Sequence, residues 1–220
     1  FLSGRIEDAQ GRFNLTNLLR GAEIDTLAVS QLSRLFVMLG LPPEGAPNLA
    51  DNLRQAQDAK GNLFRPRTVE DLAAWGWPSA SIARLRTRVV ILPERSTLNV
   101  NTASAEVLAA CLPGMDAAKA DTLVATRAGQ TGQHSIAWVK EALDEQSATQ
   151  LGPFITGRSY VYSADIAALG HHGRGYSRVK FIFDTTEGAP KIRRRQDLTH
   201  LGWALGQSVR QQLTELQNER

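Results

Sequence analysis

Hydrophobic positions recur with a helical period through the middle of the chain and with a strand period near its end. Over residues 26–40 (TLAVSQLSRLFVMLG), Ala28, Leu32, Leu35, Phe36 and Leu39 fall on one face at three- and four-residue steps, which predicts an amphipathic helix. Asp25 or Thr26 can cap its start, Gly40 can cap its end, and Pro42-Pro43 forbid continuation. The polar stretch from Asn48 to Arg67 predicts a short helix followed by a loop. Thr68 then caps a predicted helix carrying Val69, Leu72 and Trp75 and stopped by Pro78, and Ser79 opens another with Ile82, Leu85 and Val89 facing inward.

In the next stretch, Leu98-Asn99-Val100-Asn101 leads to Thr102 as a cap and a helix with Val107, Leu108, Cys111 and Leu112. Pro113-Gly114-Met115-Asp116 predicts a tight turn, with Asp116 capping a helix that carries Ala120, Leu123 and Val124. A last helix of this series is predicted from Ser135, with Trp138, Val139 and Leu143. From Ser159 the period drops to two. Tyr160, Tyr162, Ala164 and Ile166 alternate with polar or smaller residues, and Val179, Phe181 and Phe183 do so again in 176–184. A basic third strand, Ile192 to Gln196, follows a turn at Glu187-Gly188 with Pro190 and suits an exposed sheet edge through its run Arg193-Arg194-Arg195. Leu198, Leu201, Leu205, Val209, Leu213 and Leu216 predict an amphipathic C-terminal helix. Residues 4–8 read as one more short strand.

These patterns predict an α+β chain, with an antiparallel sheet domain from residues 1–16 and 156–220 and a large helical domain, 17–155, inserted into it. Composition is compatible with packed cores: 220 residues, 42% hydrophobic. Charge adds little, because 25 Lys and Arg against 22 Asp and Glu leave a net of only +3, which by itself does not argue for a polyanionic partner. The single cysteine, Cys111, excludes an internal disulfide framework and a cysteine-rich zinc site. No apolar run approaches the length of a membrane span.

No catalytic constellation is legible. The serines lack a nucleophile elbow, and Cys111 lies on the apolar side of its helix as a buried structural thiol. His171-His172 sits in a loop between two predicted strands, where adjacent histidines do not converge on one ion. The glycines of that loop join strand to strand rather than opening a helix, so they make no dinucleotide cradle. Asp51 and Asp58 could help hold calcium, but two carboxylates seven apart fall short of a site.

The segment LNVNTASAEVLAACLPGMDAAKADTLVATR resembles a helix-hairpin-helix (SAM-like) motif. In its DNA-binding versions, hairpin N–H groups meet a phosphate at a helix N-terminus, giving affinity without sequence readout. Here Asp116 replaces the second hairpin glycine and puts a carboxylate where a phosphate would sit, beside only Lys119 and Arg127 as basic residues. The charge balance favours a motif kept for packing. A helix-hairpin-helix protein making non-specific phosphate contacts is the alternative reading.

Three stretches together resemble one family. Residues 5–18 (RIEDAQGRFNLTNL) are similar to the I-E-D-x-x-G-R-F-N-L-N-x-L signature of general secretion pathway protein K, the large minor pseudopilin of type II secretion systems. Leu98-Asn99-Val100-Asn101-Thr102-Ala103 resembles that family's L-N-V-N-T-A segment, and the terminal meander takes the place of its pilin-type sheet. The motif residues, Asp8, Gly11, Arg12, Phe13, Asn14, Leu15, Asn99, Asn101 and Thr102, read as scaffold. Phe13 and Leu15 anchor the passage into the helical domain, Asp8 and Arg12 are near enough to pair, and Asn14 can hydrogen-bond turn backbone.

The resemblance implies an assembly protein without catalysis or a required cofactor. It implies a pilin-type antiparallel sheet with an inserted all-α domain, a heterotrimer with minor pseudopilins I and J, and a place at the pseudopilus tip supporting export of folded proteins. Contacts with other pseudopilins and with secreted substrates belong to the same expectation. It also implies a periplasmic domain in a Gram-negative bacterium, held to the inner membrane by an N-terminal helix that precedes Phe1. The acidic segment that relatives carry after the first long helix is short and carboxylate-poor in NLADNLRQAQDAKGNLFRPRT, so if that segment holds calcium in relatives, calcium here is in doubt. On the predicted C-terminal helix, Gly202, Trp203 and Gly206 form a small-residue groove with an aromatic rim, a candidate partner-docking face.

Overall fold

The computed structural model describes residues 1–58, 63–128, 136, 138–139, 153–170 and 175–202. In chain order the strands are β1 (Leu2–Asp8), β2 (Phe13–Asn14), β3 (Leu19–Arg20), β4 (Glu23–Ile24), β5 (Val89–Val90), β6 (Leu98–Asn99), β7 (Ile155–Thr156), β8 (Val161–Leu169), β9 (Tyr176–Asp184) and β10 (Lys191–Asp197). The helices are α1 (Thr26–Met38), α2 (Gly45–Asp58), α3 (Ser79–Leu85), α4 (Ala105–Cys111) and α5 (Ala117–Ala128). The chain divides into two compact units: Ala9–Ser159, and Phe1–Asp8 with the chain from Tyr160 onward. The expected domain boundaries at 16/17 and 155/156 both lie inside the first of these.

The sheet unit is antiparallel, in the order β1-β8-β9-β10. The two ends of the chain meet in it, with Leu2 opposite Ala168 and Asp8 opposite Tyr162. Strand β10 forms an edge, as its basic run predicts, and a register shift between Ile192 and Arg194 bends it. Bulges and charge are the usual means of keeping an edge from pairing with another sheet. The predicted C-terminal helix does not start at Leu198. A 3-10 turn spans Thr199–Leu201, and Gly202 stops it at φ +73°, a conformation no helix interior accepts. Its carbonyl accepts hydrogen bonds from the Tyr176 hydroxyl and from Arg178.

Among its described residues the 9–159 unit has five α-helices and three two-residue ladders, β2–β5, β3–β4 and β6–β7. Its core collects Leu32, Leu35 and Phe36 of α1, Leu49 and Leu53 of α2, Leu72, Leu85, and the buried face of α4 through Val107 and Leu108. Helix α1 starts as predicted, with the Asp25 side chain accepting from the Ala28 N–H, and ends at Met38, two residues before Gly40.

Elsewhere local signals were overridden. Helix α2 starts earlier than its polar stretch predicts, at Gly45, where a Cβ would stand 3.0 Å from the Phe36 ring. The predicted helix after Thr68 is a 3-10 turn, Glu70–Trp75, ended by Gly76 at φ +80°. Thr68 does not cap it; the Asp71 carboxylate instead accepts from the N–H groups of Arg67 and Thr68. Val89 lies in β5 rather than on α3, because Phe13 pairs with it. Ser104, not Thr102, stands at the start of α4. Of the predicted helix from Ser135, only residues 136, 138 and 139 are described. The loop with His171 and His172 lies outside the described residues, as do Trp203 and Gly206.

Candidate functional site

The two motif stretches meet through the Asn99 N–H, which donates to the Gln10 carbonyl, and through Gly11 against Thr102, while their amide side chains tie each to further backbone. Asn14, at the end of β2, is 2% exposed. Its Oδ1 accepts from the N–H groups of Thr16 and Leu92, both at 3.1 Å, and its Nδ2 donates to the Glu94 carbonyl at 2.8 Å and to Ser96 Oγ at 3.1 Å. Three residues on, Asn17 does the same to one residue: Ser96 N–H donates to Oδ1 at 3.0 Å, and Nδ2 donates to the Ser96 carbonyl at 2.8 Å. Thr16 Oγ1 donates to the Leu92 carbonyl, and Gln10 Nε2 to the carbonyl and hydroxyl of Thr97. An asparagine side chain carries the same acceptor and donor as a peptide group. It can therefore satisfy a strand that has no ladder partner. Residues 10–17 and 92–97 are stapled in this way.

The second motif extends the staple. Asn99 Nδ2 donates to Ser159 Oγ at 2.8 Å, and its Oδ1 accepts from the Asn101 N–H. Asn101 bridges Gly157 and Trp138, donating to the carbonyl of one and accepting from Nε1 of the other, both at 2.8 Å. Arg127 of α5 donates to the carbonyls of Val100 and Ala103, and its partial burial lowers its pKa. Thr102 packs against Gly11 so closely that a Cβ on Gly11 would lie 2.7 Å from Thr102 Oγ1 and 3.1 Å from the Thr102 backbone. Phe13 and Leu15 are in the core, as expected of anchors.

The structure thus brings Gly11, Phe13, Asn14, Leu15, Asn99, Asn101 and Thr102 into one region. Arg12 lines a small cavity of about 40 Å³ beside them, together with Asn17, Asp25, Arg95 and Cys111. Asp8 closes β1 in the sheet unit. Five polar side chains are buried among the described residues, and four of them, Gln10, Asn14, Asn99 and Ser159, belong to the staple. Gln10, Asn17, Ser159, Trp138 and Arg127 are members that sequence reasoning passed over. The density of Asn in both motifs was the available signal.

Charged groups near the staple are spent internally. Arg95 donates to the carbonyls of Asn17 and Leu19 and to Asp25. Burial disfavours the Asp25 carboxylate, but hydrogen bonds from the Ala28 N–H, Arg95 and Arg20 outweigh it and hold the carboxyl below its ordinary value. Burial pushes the Cys111 thiol up to about 12 against the opposing charge of Arg34. A thiol so held is inert at neutral pH.

In the α4–α5 hairpin, Gly114 turns at φ +65° and Asp116 Oδ1 accepts from the Lys119 N–H at 2.8 Å, the predicted cap. The Lys119 ammonium folds back onto the Gly114 carbonyl. Both basic residues of the hairpin, Lys119 and Arg127, therefore face its own carbonyls. Asp51 and Asp58 lie on α2 rather than a loop, with the Arg54 guanidinium between them at 3.4 and 3.8 Å. Among the described residues no group of three or more His, Cys, Asp or Glu is placed to hold a metal ion, and no helix is long and apolar enough to cross a membrane.

Two models of the family described as type II secretion system protein K match residues 11–94 and 98–152. Among curated proteins, the type II secretion system protein K of Pseudomonas aeruginosa is 31% identical over 188 residues, covering 76% of this chain and 56% of its own length. The chain thus spans a little over half of that relative. Among solved structures, the GspK-GspI-GspJ complex of the enterotoxigenic Escherichia coli type 2 secretion system contains a chain of the same fold. Its TM-score is 0.64 at 17% identity, over 89% of this chain and 79% of that one. Matched by the family's models through most of the stapled 9–159 unit, this chain belongs to the type II secretion system protein K family.

Proposed function

We propose that this chain is the periplasmic part of a K-type minor pseudopilin, anchored in the inner membrane by a preceding helix, that caps the secretion pseudopilus with I- and J-type partners. In this reading β1 and β8–β10 are the pilin-type sheet, and the 9–159 unit is a helical insertion carrying the helix-hairpin-helix-like α4–α5 pair. The role is structural, supporting export of folded proteins by assembly rather than by a reaction. The motif residues from Asp8 to Leu15 and at Asn99, Asn101 and Thr102 serve as scaffold. Partner contacts fall to residues outside these motifs, and the segment with Gly202, Trp203 and Gly206 is a candidate for them.

The observation that carries the reading is that both stretches matched by the family, 11–94 and 98–152, lie in one unit inserted between the strands of one antiparallel sheet. That the structural relative was solved in complex with GspI and GspJ supports the choice of partners. The hairpin supports assembly over nucleic acid, because Asp116 already satisfies the helix N-terminus that a phosphate would approach. Mixing the chain with soluble I- and J-type domains, followed by size-exclusion chromatography with light scattering, tests it. A complex with one copy of each is expected at about 50 µM, a concentration that captures even weak association. Absence of that complex, with salt-sensitive retention of duplex DNA instead, would move the function to the hairpin.

A further inference from the structure

The chain passes between its two units twice, at Asp8–Ala9 and at Ser159–Tyr160. On the helical side both passages are bonded to the same residue. The Asn99 N–H donates to the Gln10 carbonyl at 2.8 Å, and Asn99 Nδ2 donates to Ser159 Oγ at 2.8 Å. The neighbouring bonds run the same way: Val100 N–H to the Thr156 carbonyl, Asn101 Nδ2 to the Gly157 carbonyl, and the β6–β7 ladder. Gln10, Asn99 and Ser159 are all buried, so water does not compete for these bonds.

On the other side of the passages, β1 pairs with β8, beginning at Asp8 opposite Tyr162. These partners are 154 positions apart in sequence, as 162 minus 8 gives. With residues 9–159 unfolded, pairing them carries the closure entropy of a loop of that length. With 9–159 folded, residues 10 and 159 already share Asn99, and the strands leave together. By contrast, β8–β9 and β9–β10 are joined by short connections and need no such help.

We propose that Asn99 is a clasp through which the folded 9–159 unit closes the loop for the sheet, so that β1 joins β8 only when that unit is folded. Under the assembly reading, on which this consequence alone rests, a subunit with an unfolded cap has no complete sheet to offer a filament.

Hydrogen–deuterium exchange of the 1–220 chain, resolved by peptide, tests the clasp without any partner. Its failure would leave the assembly test untouched. In Asn99→Ala, amides of β1 and of the β1-facing side of β8 are expected to exchange about tenfold faster, as losing a buried hydrogen bond predicts. Amides of α1 around Leu32–Phe36 keep their rates. Asn17→Ala, which removes an equally close bond pair to Ser96 away from the passages, leaves β1 and β8 protected. Should Asn99→Ala unfold the whole chain, Ser159→Ala removes a single bond of the clasp and is read by the same criterion. Unchanged β1 and β8 rates in the Asn99 or Ser159 variant, a uniform loss in both units with Ser159→Ala, or equal deprotection by Asn17→Ala would each overturn the proposal.

Discussion

Asn14→Ala is expected to destabilise the helical unit far more than an average surface change, for reasons that can be counted. The side chain accepts from the nearby Thr16 N–H, and across a gap in sequence of about eighty residues it accepts from one N–H and donates to two oxygens. Alanine leaves the Leu92 N–H without an acceptor, and Leu92 is 3% exposed, so water cannot substitute. An orphaned buried donor costs about 1–3 kcal/mol. Asn14 also caps the 3-10 turn at Leu15–Leu18, and losing a cap costs about 1 kcal/mol. The sum, about 2–4 kcal/mol, is a large share of the roughly 5–15 kcal/mol that holds a domain folded.

Urea titration followed by tryptophan fluorescence reads this directly, since Trp75, Trp77 and Trp138 lie in the 9–159 unit. With a slope of about 2 kcal/mol per molar, the midpoint is expected to fall by about 1–2 M. Asn48→Ala, on the exposed side of α2, is the control and should change stability by no more than about 0.5 kcal/mol. An Asn14→Ala midpoint within the range of that control would refute the view that this motif residue is spent on the staple.

Gly11→Ala is expected to cost about 1–3 kcal/mol in the same titration, because the new methyl group meets the backbone of Thr102 as well as its hydroxyl and the backbone cannot rotate away. The lowered pKa of Asp25 means that its contribution is complete above its unfolded value of about 4 and is lost as pH falls below that. Asp25→Asn should therefore lower the urea midpoint at pH 7 but narrow its gap to the parent at pH 3, and an equal gap at both pH values would count against the assignment. Cys111 should resist alkylation by iodoacetamide at pH 8 in the folded chain and react once urea unfolds it; modification of the folded protein at the rate of a free thiol would show that the thiol is not held as described. Asp116→Ala should cost about 1 kcal/mol through the lost bond to the Lys119 N–H, seen as a lower thermal midpoint.

Local periodicity determined much of this protein. The apolar face of α1 and its Asp25 cap, the turn at Gly114 with Asp116 after it, and the extended runs of β8 and β9 are all set by neighbours within a few residues, so the sequence shows them. The resemblance carried by residues 5–18 and 98–103 reached the right family for the same reason: contiguous motifs survive reading one residue at a time. What tertiary structure decided is where such local signals are silent or overruled. Val89 reads as the next position of a helical face, yet it pairs with Phe13 seventy-six residues away. Thr102 reads as a cap, yet its place is against Gly11, and Ser104 starts the helix. Above all, Asn14 reads as an ordinary turn residue until Leu92, Glu94 and Ser96 arrive beside it. An asparagine's amide declares no partner in sequence. Its value depends on which unpaired backbone the fold brings within hydrogen-bond reach, and only the folded chain settles that.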